Sequence, residues 1–327
     1  MKISTYIPRY SKNFFEHENP FDIFVGEILI QFLQMGHEIV QYDESADVNL
    51  IFNYCGIIRD DSLNVLIVDD SFVPIISISD QFHIIREKFE KVDLVIYRSE
   101  YIQRIIHKNL GKKKNEFIIP GCVNLEAAKL ASVIFQKPNG GEYVSDEDDV
   151  WVYAGHLYPE NGLRDSIEYF LKNSSENSIL IVFGDPDFAR WEIFSEMAEF
   201  DREEMDKKVI QLAGPSELDI LSAILKCDKF INLGQLIYDL SLFYTAALFN
   251  RHVICRNEAF KQSIIKNNCT ILDRDLNILL KNETPKCPNS EIKANLSHFL
   301  IQCAAKDYIS AITSIMIHKE SNDKKPQ

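Results

Sequence analysis

Short runs of apolar, often β-branched residues alternate along the chain with longer segments in which apolar residues recur at helical spacing. Continuous apolar runs of this length are typical of buried parallel strands, because helices cover both faces of a parallel sheet. The alternation therefore predicts the α/β class, with mainly parallel sheets and helices on both sides of each sheet.

In the first half of the chain we predict strands at residues 3–7, 38–42, 48–52, 65–68, 94–97 and 116–119. The helices predicted between them cover residues 22–35, 82–89 and 99–110. Ser99 is a candidate N-cap of the last of these helices, and Gly111 a candidate stop at its C-terminus. The order of elements predicts one doubly wound, Rossmann-like sheet.

Residues 137–149 read KPNGGEYVSDEDD, a polar composition that cannot bury apolar surface and so predicts a domain boundary. The alternation then restarts, with strands at 150–154, 178–183, 209–213, 229–232 and 252–256 and helices at 163–173, 190–207, 217–225 and 240–249. We predict an N-terminal domain at 1–138, a linker at 139–149, a C-terminal domain at 150–290, a helix at 291–318 that crosses back to the N-terminal domain, and a disordered tail at 319–327.

Length and composition agree with two globular domains. The 327 residues are 46% hydrophobic, enough to bury two cores of about 150 residues each. No apolar run approaches the roughly 20 residues that span a bilayer, and Met1 leads into a strand pattern and not into a signal peptide. We therefore expect a soluble cytoplasmic protein. Seven cysteines without a CxxC pair favour reduced thiols over disulfides or a zinc site.

The charge balance bears on partners. Lys and Arg number 35 against 49 Asp and Glu, and the resulting formal charge of −14 repels nucleic-acid and membrane phosphates. The densest basic cluster, at residues 112–114, follows Gly111 in a predicted turn and is expected to be a solvated loop. We therefore do not expect the protein to bind nucleic acid.

Six segments, in order along nearly the whole chain, resemble conserved segments of GT-B glycosyltransferases, and most closely those of the large retaining family 4. They read GHEIV (36–40), VDLVIYRSEYIQRII (92–106), FIIPGCVNLE (117–126), AGHLYPENGLRDSIEYF (154–170), ILIVFGD (179–185) and LAGPSELDILSAILKCDKFINLG (212–234). Each alone is ordinary α/β turn chemistry, whereas six in order indicate the family. The resemblance implies two Rossmann-like domains that face a central cleft, with the acceptor bound by the first and the nucleotide-sugar donor by the second.

The departures from the family pattern fall on its charged site residues. The resemblance implies an Arg and a Lys five residues apart on the donor diphosphate, and these positions hold His156 and Asn161, between the retained Gly155 and Gly162. A diphosphate charge about 4 Å from His156 contributes about 4 kcal/mol at an effective dielectric of about 20, which favours an imidazolium. The alternative, that His156 caps a turn, stays open.

The family's paired glutamates fall on Ile237 and Thr245, so neither carboxylate is present. The hydroxyl of Thr245 can replace only part of a carboxylate's contact with the donor ribose. Three glycines that follow predicted strands complete the candidate donor site: Gly184, Gly214 and Gly234. The loop at 232–239 leads into a helix, and the N–H groups at a helix N-terminus suit a phosphate. A tight turn ahead of a buried helix fits the same sequence.

In the first domain, Asp69 and Asp70 follow an apolar strand, near where the family often carries a His that contacts donor or acceptor. Neighbouring side chains on a strand point to opposite sides, so at most one of the two faces a substrate, and an N-cap or loop role is the alternative. Three cations, Arg190, Lys226 and Arg256, lie near predicted strand ends, and we expect Arg190 and Lys226 to be solvated. The family implies no metal ion and no other cofactor.

The function that the resemblance implies is transfer of a sugar from a nucleotide-sugar donor to a glycan, lipid-linked or protein acceptor, with retention, in polysaccharide biosynthesis. His156, Asp69 and Asp70 are the candidate catalytic residues. The alternative is a catalytically inactive GT-B protein that acts as a partner subunit or glycan-binding module. An epimerase on the same fold lacks a supporting set of acidic residues. Nucleotide binding separates the transferase from the inactive protein.

Overall fold

In a computed structural model, the residues that the structure describes are 1–5, 20–52, 56–68, 79–120, 123–134, 149–154, 162–183, 202–212, 217–234, 240–256, 268–273, 275–282 and 300–323. They divide into two compact units. The first unit holds the described residues up to 120 together with residues 300–323, and the second holds the described residues from 123 to 282.

The first unit is built on a six-stranded parallel sheet with the strand order β2, β1, β3, β4, β5, β6. Its strands are β1 (Lys2–Thr5), β2 (Glu38–Gln41), β3 (Val48–Phe52), β4 (Leu63–Val68), β5 (Leu94–Tyr97) and β6 (Glu116–Ile118). Its helices are α1 (Pro20–Gln34), α2 (Ser79–Lys91), α3 (Glu100–Leu110) and α9 (Ile301–Asp323). The predicted Rossmann-like sheet is confirmed.

The two faces of this sheet are covered by different helices. On strand β3, Leu50 and Phe52 join a core cluster with residues of α1 and α9, whereas Ile51 joins a cluster with residues of α2 and α3. Side chains alternate between the faces of a strand, so one continuous apolar run supplies both clusters. As predicted, the Oγ of Ser99 accepts a hydrogen bond from the N–H of Ile102 (3.1 Å), which caps α3.

The second unit contains a seven-stranded sheet with the order β13, β12, β11, β10, β7, β8, β9, parallel except for β13. Its strands are β7 (Asp149–Ala154), β8 (Ser178–Phe183), β9 (Val209–Leu212), β10 (Lys229–Asn232), β11 (His252–Arg256), β12 (Cys269–Leu272) and β13 (Ile278–Asn282). Its helices are α4 (Leu125–Ile134), α5 (Leu163–Asn173), α6 (Arg202–Lys208), α7 (Glu217–Lys226) and α8 (Leu240–Leu248).

The boundary between the units differs from the predicted domain boundary at 138. The sequence pattern predicts no helix at 125–134, yet α4 forms there and belongs to the second unit. The reason is packing, because Ala127, Ala128 and Ala131 form an apolar cluster with Leu221 and Leu225 of α7. The predicted linker at 139–149 lies outside the described residues except for Asp149, which begins β7.

The C-terminal helix α9 belongs to the first unit. It places seven buried residues in the core cluster of that unit: Ile301, Ala304, Ala305, Tyr308, Ala311, Ile312 and Ile315. The expectation of a disordered tail from residue 319 is wrong for residues 319–323, because the helix continues to Asp323. Lys319 Nζ binds the Oδ1 of Asp93 at 3.1 Å, and Ser321 Oγ donates to the carbonyl of Ile317, which stabilise this last turn.

Two further features bear on the predictions. The cluster at 112–114 lies in a loop, as expected, and Lys112 and Lys114 are exposed. Lys113 also donates to the carbonyl of Glu90 at 3.0 Å and lies over the ring of Phe89, and burial lowers the pKa of its ammonium group. Among the described helices, none combines the length and the apolar character needed to cross a membrane.

Candidate functional site

The second sheet has a reversal of strand order between β7 and β10. From β7 the chain proceeds outward on one side through β8 and β9, and then returns to the other side of β7 to form β10 and β11. Open parallel sheets bind ligands beyond the carboxyl ends of their strands at such a reversal. The carboxyl ends of β7 and β10, at Ala154 and Asn232, therefore define the candidate site.

Most of the predicted site residues lie outside the described residues. These are Asp69, Asp70, Gly155, His156, Asn161, Gly184 and Gly214. In the sequence, Asp69 follows β4 directly, Gly155 follows β7 and Gly184 follows β8. Arg190 and Ile237 also lie outside the described residues. Gly234 and Thr245 are described, together with the first turn of α5.

Gly162 begins α5 and packs against the chain that leaves β10. Its φ of 74° is in the left-handed region that favours glycine, and it is the N-cap residue of the helix. A Cβ atom at this position would overlap the backbone of Leu233 and Gly234. The absence of a side chain at Gly162 thus permits the start of α5 to contact the end of β10.

A buried hydrogen-bond network holds this contact in place. Ser166 Oγ donates to the carbonyl of Gly162 (2.7 Å) and accepts from the N–H of Leu233 (3.0 Å). Asn232 Nδ2 donates to the carbonyl of Ala154 (3.2 Å), and its Oδ1 accepts from the N–H of Gly234 (2.9 Å). The network joins β7, α5 and β10 into one junction at the strand-order reversal.

The same network limits one prediction. Of the two interpretations of the loop at 232–239, one leaves its N–H groups open to a phosphate and the other makes it a tight turn. The N–H groups of Leu233 and Gly234 are not open, because they bind Ser166 and Asn232. Their role in the described structure is to fix the junction. The rest of that loop, residues 235–239, lies outside the described residues.

The first turn of α5 lies at the junction. The first N–H groups of a helix have no acceptor within the helix, and here the N-cap residue Gly162 offers no side chain to accept from them. The helix dipole adds a positive partial charge at this end. Two charged side chains follow, an exposed Arg164 and the half-buried Asp165.

Arg256 is the last residue of β11 and reaches the first turn of α5. It is 5% exposed, and its Nη2 lies 2.5 Å from the Oδ2 of Asp165, 91 residues away in sequence. Of the three cations predicted near strand ends, Arg256 is therefore part of the junction. Lys226 is exposed at the end of α7, in accord with the expectation that it is solvated.

Thr245 occupies the interior of α8. Only 1% of the residue is exposed, and its Oγ1 donates to the carbonyl of Ser241 at 2.8 Å, one turn earlier in the same helix. Its neighbour Phe243 packs edge-on against Phe230 of β10, with ring centroids 5.0 Å apart. The hydroxyl that was expected to contact a ribose is thus engaged in the helix that carries it.

A second charged cluster lies at the opposite, amino end of the same sheet. The carboxylate of Asp149 accepts from Lys229 Nζ (2.7 Å), Trp151 Nε1 (2.6 Å) and Ser178 Oγ (3.0 Å). Burial alone raises the pKa of Asp149, but the hydrogen bonds from Lys229 and Trp151 outweigh it, so this pKa lies below its ordinary value. The cluster is far from the carboxyl ends of the strands and serves the fold.

Comparison with known proteins rests on structure alone. No protein-family model matches the sequence, and no curated protein is similar to it by sequence. Anabaena HepE in complex with UDP and glucose has a TM-score of 0.59 at 11% identity, over 99% of this chain and 100% of that chain. WaaG, a glycosyltransferase involved in lipopolysaccharide biosynthesis, has a TM-score of 0.60 at 12% identity, over 99% and 96%.

A third similar structure is the UDP-forming α,α-trehalose-phosphate synthase of Burkholderia xenovorans in complex with glucose-6-phosphate. It has a TM-score of 0.56 at 9% identity, over 91% of this chain and 81% of that chain. Identities this low show the fold alone. The chain therefore has the GT-B fold, which confirms the predicted α/β class and the two Rossmann-like sheets.

Proposed function

We propose that this chain is a glycosyltransferase that takes a sugar from a nucleotide-sugar donor bound by its second unit. The observation that carries the proposal is the junction of Gly162 with Gly234 at the strand-order reversal of a GT-B fold. A buried serine, a buried asparagine and a glycine without space for a Cβ maintain one backbone arrangement there. Such rigidity suits a site that must hold a donor in a fixed orientation.

The donor diphosphate is proposed to lie at the N-terminus of α5. The first N–H groups of that helix, which have no acceptor within the helix, and its dipole attract a diphosphate, and Arg164 adds a cation in the same turn. His156 and Asn161, from the segment between β7 and α5, are proposed to complete the contact with Gly155. As the donor bond breaks, the leaving diphosphate gains negative charge, and His156 as an imidazolium stabilises it.

Uracil is the base that we propose for the donor. HepE was solved with UDP and glucose, and the trehalose-phosphate synthase is named as UDP-forming. Gly184 directly follows β8, and Gly214 lies two residues after the end of β9. We propose that these two glycines let the backbone approach the nucleotide.

The finer features of the proposal come from the resemblance to retaining family 4. They are transfer with retention of the anomeric configuration, a glycan, lipid-linked or protein acceptor, and charge stabilisation by protein groups without a resident metal ion. Asp69 and Asp70, which follow β4, are the proposed acceptor-side residues of the first unit.

The experiment that tests the proposal is thermal unfolding with UDP, GDP, ADP and CMP, followed by assay of UDP release from UDP-sugars. A nucleotide at about 100 times its dissociation constant stabilises the folded protein by about 2.7 kcal/mol. We expect UDP to raise the unfolding temperature, and His156→Ala to reduce the shift. The matched control is His83→Ala, an exposed histidine in α2 of the first unit, which should respond to UDP as the wild type does.

If none of the nucleotides shifts the unfolding of the wild type, the donor site is refuted and the inactive GT-B protein replaces it. If UDP binds but no UDP-sugar is turned over with any acceptor class, the chain is a nucleotide-binding partner and not a transferase.

A further inference from the structure

The side chains of Asp165 and Arg256 form a pair for which the donor site as described has no role. Asp165 is the third residue of α5, so its carboxylate lies in the turn where the proposed function places a diphosphate. A carboxylate in that turn interacts favourably with the positive end of the helix dipole, but it repels a second anion bound there. Without compensation, Asp165 would oppose binding of the donor.

The compensation comes from the neighbouring strand. Arg256 contacts Asp165 at 2.5 Å from an almost fully buried position at the carboxyl end of β11. A guanidinium group stays charged at every physiological pH, so the charge of Asp165 is neutralised at all times. The positive end of α5 then remains available to an anion.

We infer that Arg256 is a positioning residue of the donor site, which sets the affinity for the nucleotide diphosphate by neutralising Asp165. The inference rests on the proposed function and assigns a role to a residue outside the segments that carry the family resemblance. It also explains how a donor site that lacks the family's Arg and Lys retains a positive balance.

The arrangement predicts opposite effects for the two halves of the pair. Arg256→Gln leaves a lone carboxylate in the first turn of α5, and two unit charges roughly 8 Å apart in an effective dielectric of about 20 to 40 change an equilibrium about 5- to 30-fold. UDP should therefore bind about 5- to 30-fold more weakly. Asp165→Asn removes the carboxylate and should bind UDP as tightly as the wild type or several-fold more tightly.

The double variant carries the sharpest expectation. Asp165→Asn with Arg256→Gln removes both charges, so its affinity for UDP should return to within about three-fold of the wild type. Uridine, which has no phosphate, should bind all four proteins equally. A role limited to bracing α5 would weaken UDP and uridine alike, in both single variants.

A matched control comes from a half-buried ion pair at the amino end of the same sheet. Lys229→Met breaks the Asp149 pair at the amino end, which should lower the unfolding temperature without changing UDP affinity. Asp273→Asn removes a carboxylate whose pKa is lowered mainly by hydrogen bonds from Asn277 and only weakly by Arg256, and it should leave UDP affinity unchanged.

The experiment is isothermal titration of UDP and uridine into the wild type, the two single variants, the double variant and the two controls. The inference is overturned if Arg256→Gln binds UDP as the wild type does, or if Asp165→Asn weakens UDP as strongly as Arg256→Gln. It falls together with the proposed function if the wild type does not bind UDP. That result is distinguishable from the two outcomes above, because in both of them the wild type binds UDP.

Discussion

Gly162 packs against Gly234 so closely that a Cβ atom at position 162 would overlap the amide nitrogen of Gly234. The contact joins the start of α5 to the end of β10, at the point where the strand order of the second sheet reverses. Since ligands of open parallel sheets bind at such reversals, a residue that shapes the backbone there affects both stability and binding.

The first prediction concerns that glycine. Gly162→Ala must adopt a left-handed φ of 74°, which costs about 1 to 2 kcal/mol, and must also displace the backbone of Leu233 and Gly234, which adds about 1 to 3 kcal/mol. We expect the unfolding temperature of the second unit to fall by roughly 6 to 15 °C, at about 3 °C for each kcal/mol. Differential scanning calorimetry measures it.

Gly36→Ala is the matched control. Gly36 has a φ of 85°, similar to that of Gly162, but no atom lies within 4 Å of its added Cβ. It should therefore show the backbone cost alone, about 1 to 2 kcal/mol. Equal losses in the two variants would show that the contact with Gly234 contributes nothing.

The second prediction concerns Ser166, which connects Gly162 to Leu233. Ser166→Ala leaves the buried N–H of Leu233 without its acceptor, and an unpaired buried group costs about 1 to 3 kcal/mol. Urea denaturation should show that loss. Ser222 is as buried, but its Oγ has no hydrogen-bond partner among the described residues, so Ser222→Ala should be neutral or slightly stabilising. A loss for Ser222→Ala that matches Ser166→Ala would contradict the assignment.

Much of the fold could be predicted from the sequence, because local patterns decide many of the elements. Strands β3 and β5 have the predicted bounds, and Ser99 caps α3 through a contact three residues away. Helix α4 was missed because its short alanine-rich face becomes apolar core only against α7, about 90 residues later. Strands β12 and β13 were missed because four or five residues carry too little periodicity, and because β12 depends on β11 for pairing and β13 depends on β12.

The candidate site could be predicted only in part, for a related reason. The glycine before α5 was evident from the resemblance, but its contact with Gly234 joins residues 72 positions apart. The pairing of Arg256 with Asp165 depends on the order of strands in the sheet, which single-sequence patterns do not specify. For Thr245, a bond to a carbonyl one turn earlier competes with a ligand contact, and the sequence shows both options equally.

The third prediction concerns the C-terminal helix α9. Ile312 is fully buried in the core of the first unit, so Ile312→Ala should cost about 2 to 5 kcal/mol in urea denaturation. Ile317 lies on the same helix with 59% of its surface exposed, and Ile317→Ala should change stability by no more than about 0.5 kcal/mol. Similar losses at both positions would mean that α9 is held by its helical propensity and not by its packing on the first unit.

The fourth prediction concerns the pH dependence of stability through Asp149. Its pKa in the folded protein is lower than its value in the unfolded chain, which is about 3.9, because the bonds from Lys229 and Trp151 outweigh burial. The unfolded state therefore binds the proton more readily, so the stabilisation is complete above about pH 4 and is lost as the pH falls through the folded pKa.

Asp149→Asn removes that dependence, because an amide does not titrate in this range. At pH 7 the variant should be less stable than the wild type by about 1 to 2 kcal/mol, since the charged hydrogen bonds from Lys229 are weakened. Below pH 4 the difference should shrink, as the wild type takes up a proton at Asp149. Urea denaturation between about pH 2.5 and pH 7, a range that contains the unfolded pKa of about 3.9, measures both limits. Glu87→Gln, which breaks an exposed pair with Lys91 in the first unit, is the control and should give only a marginal change in stability at either pH.

A difference in stability between the wild type and Asp149→Asn that stays constant over this range, or grows as the pH falls, would show that Asp149 is not held as a carboxylate by Lys229. The ion pair at the amino end of the sheet would then add nothing beyond the neutral hydrogen bonds from Trp151 and Ser178.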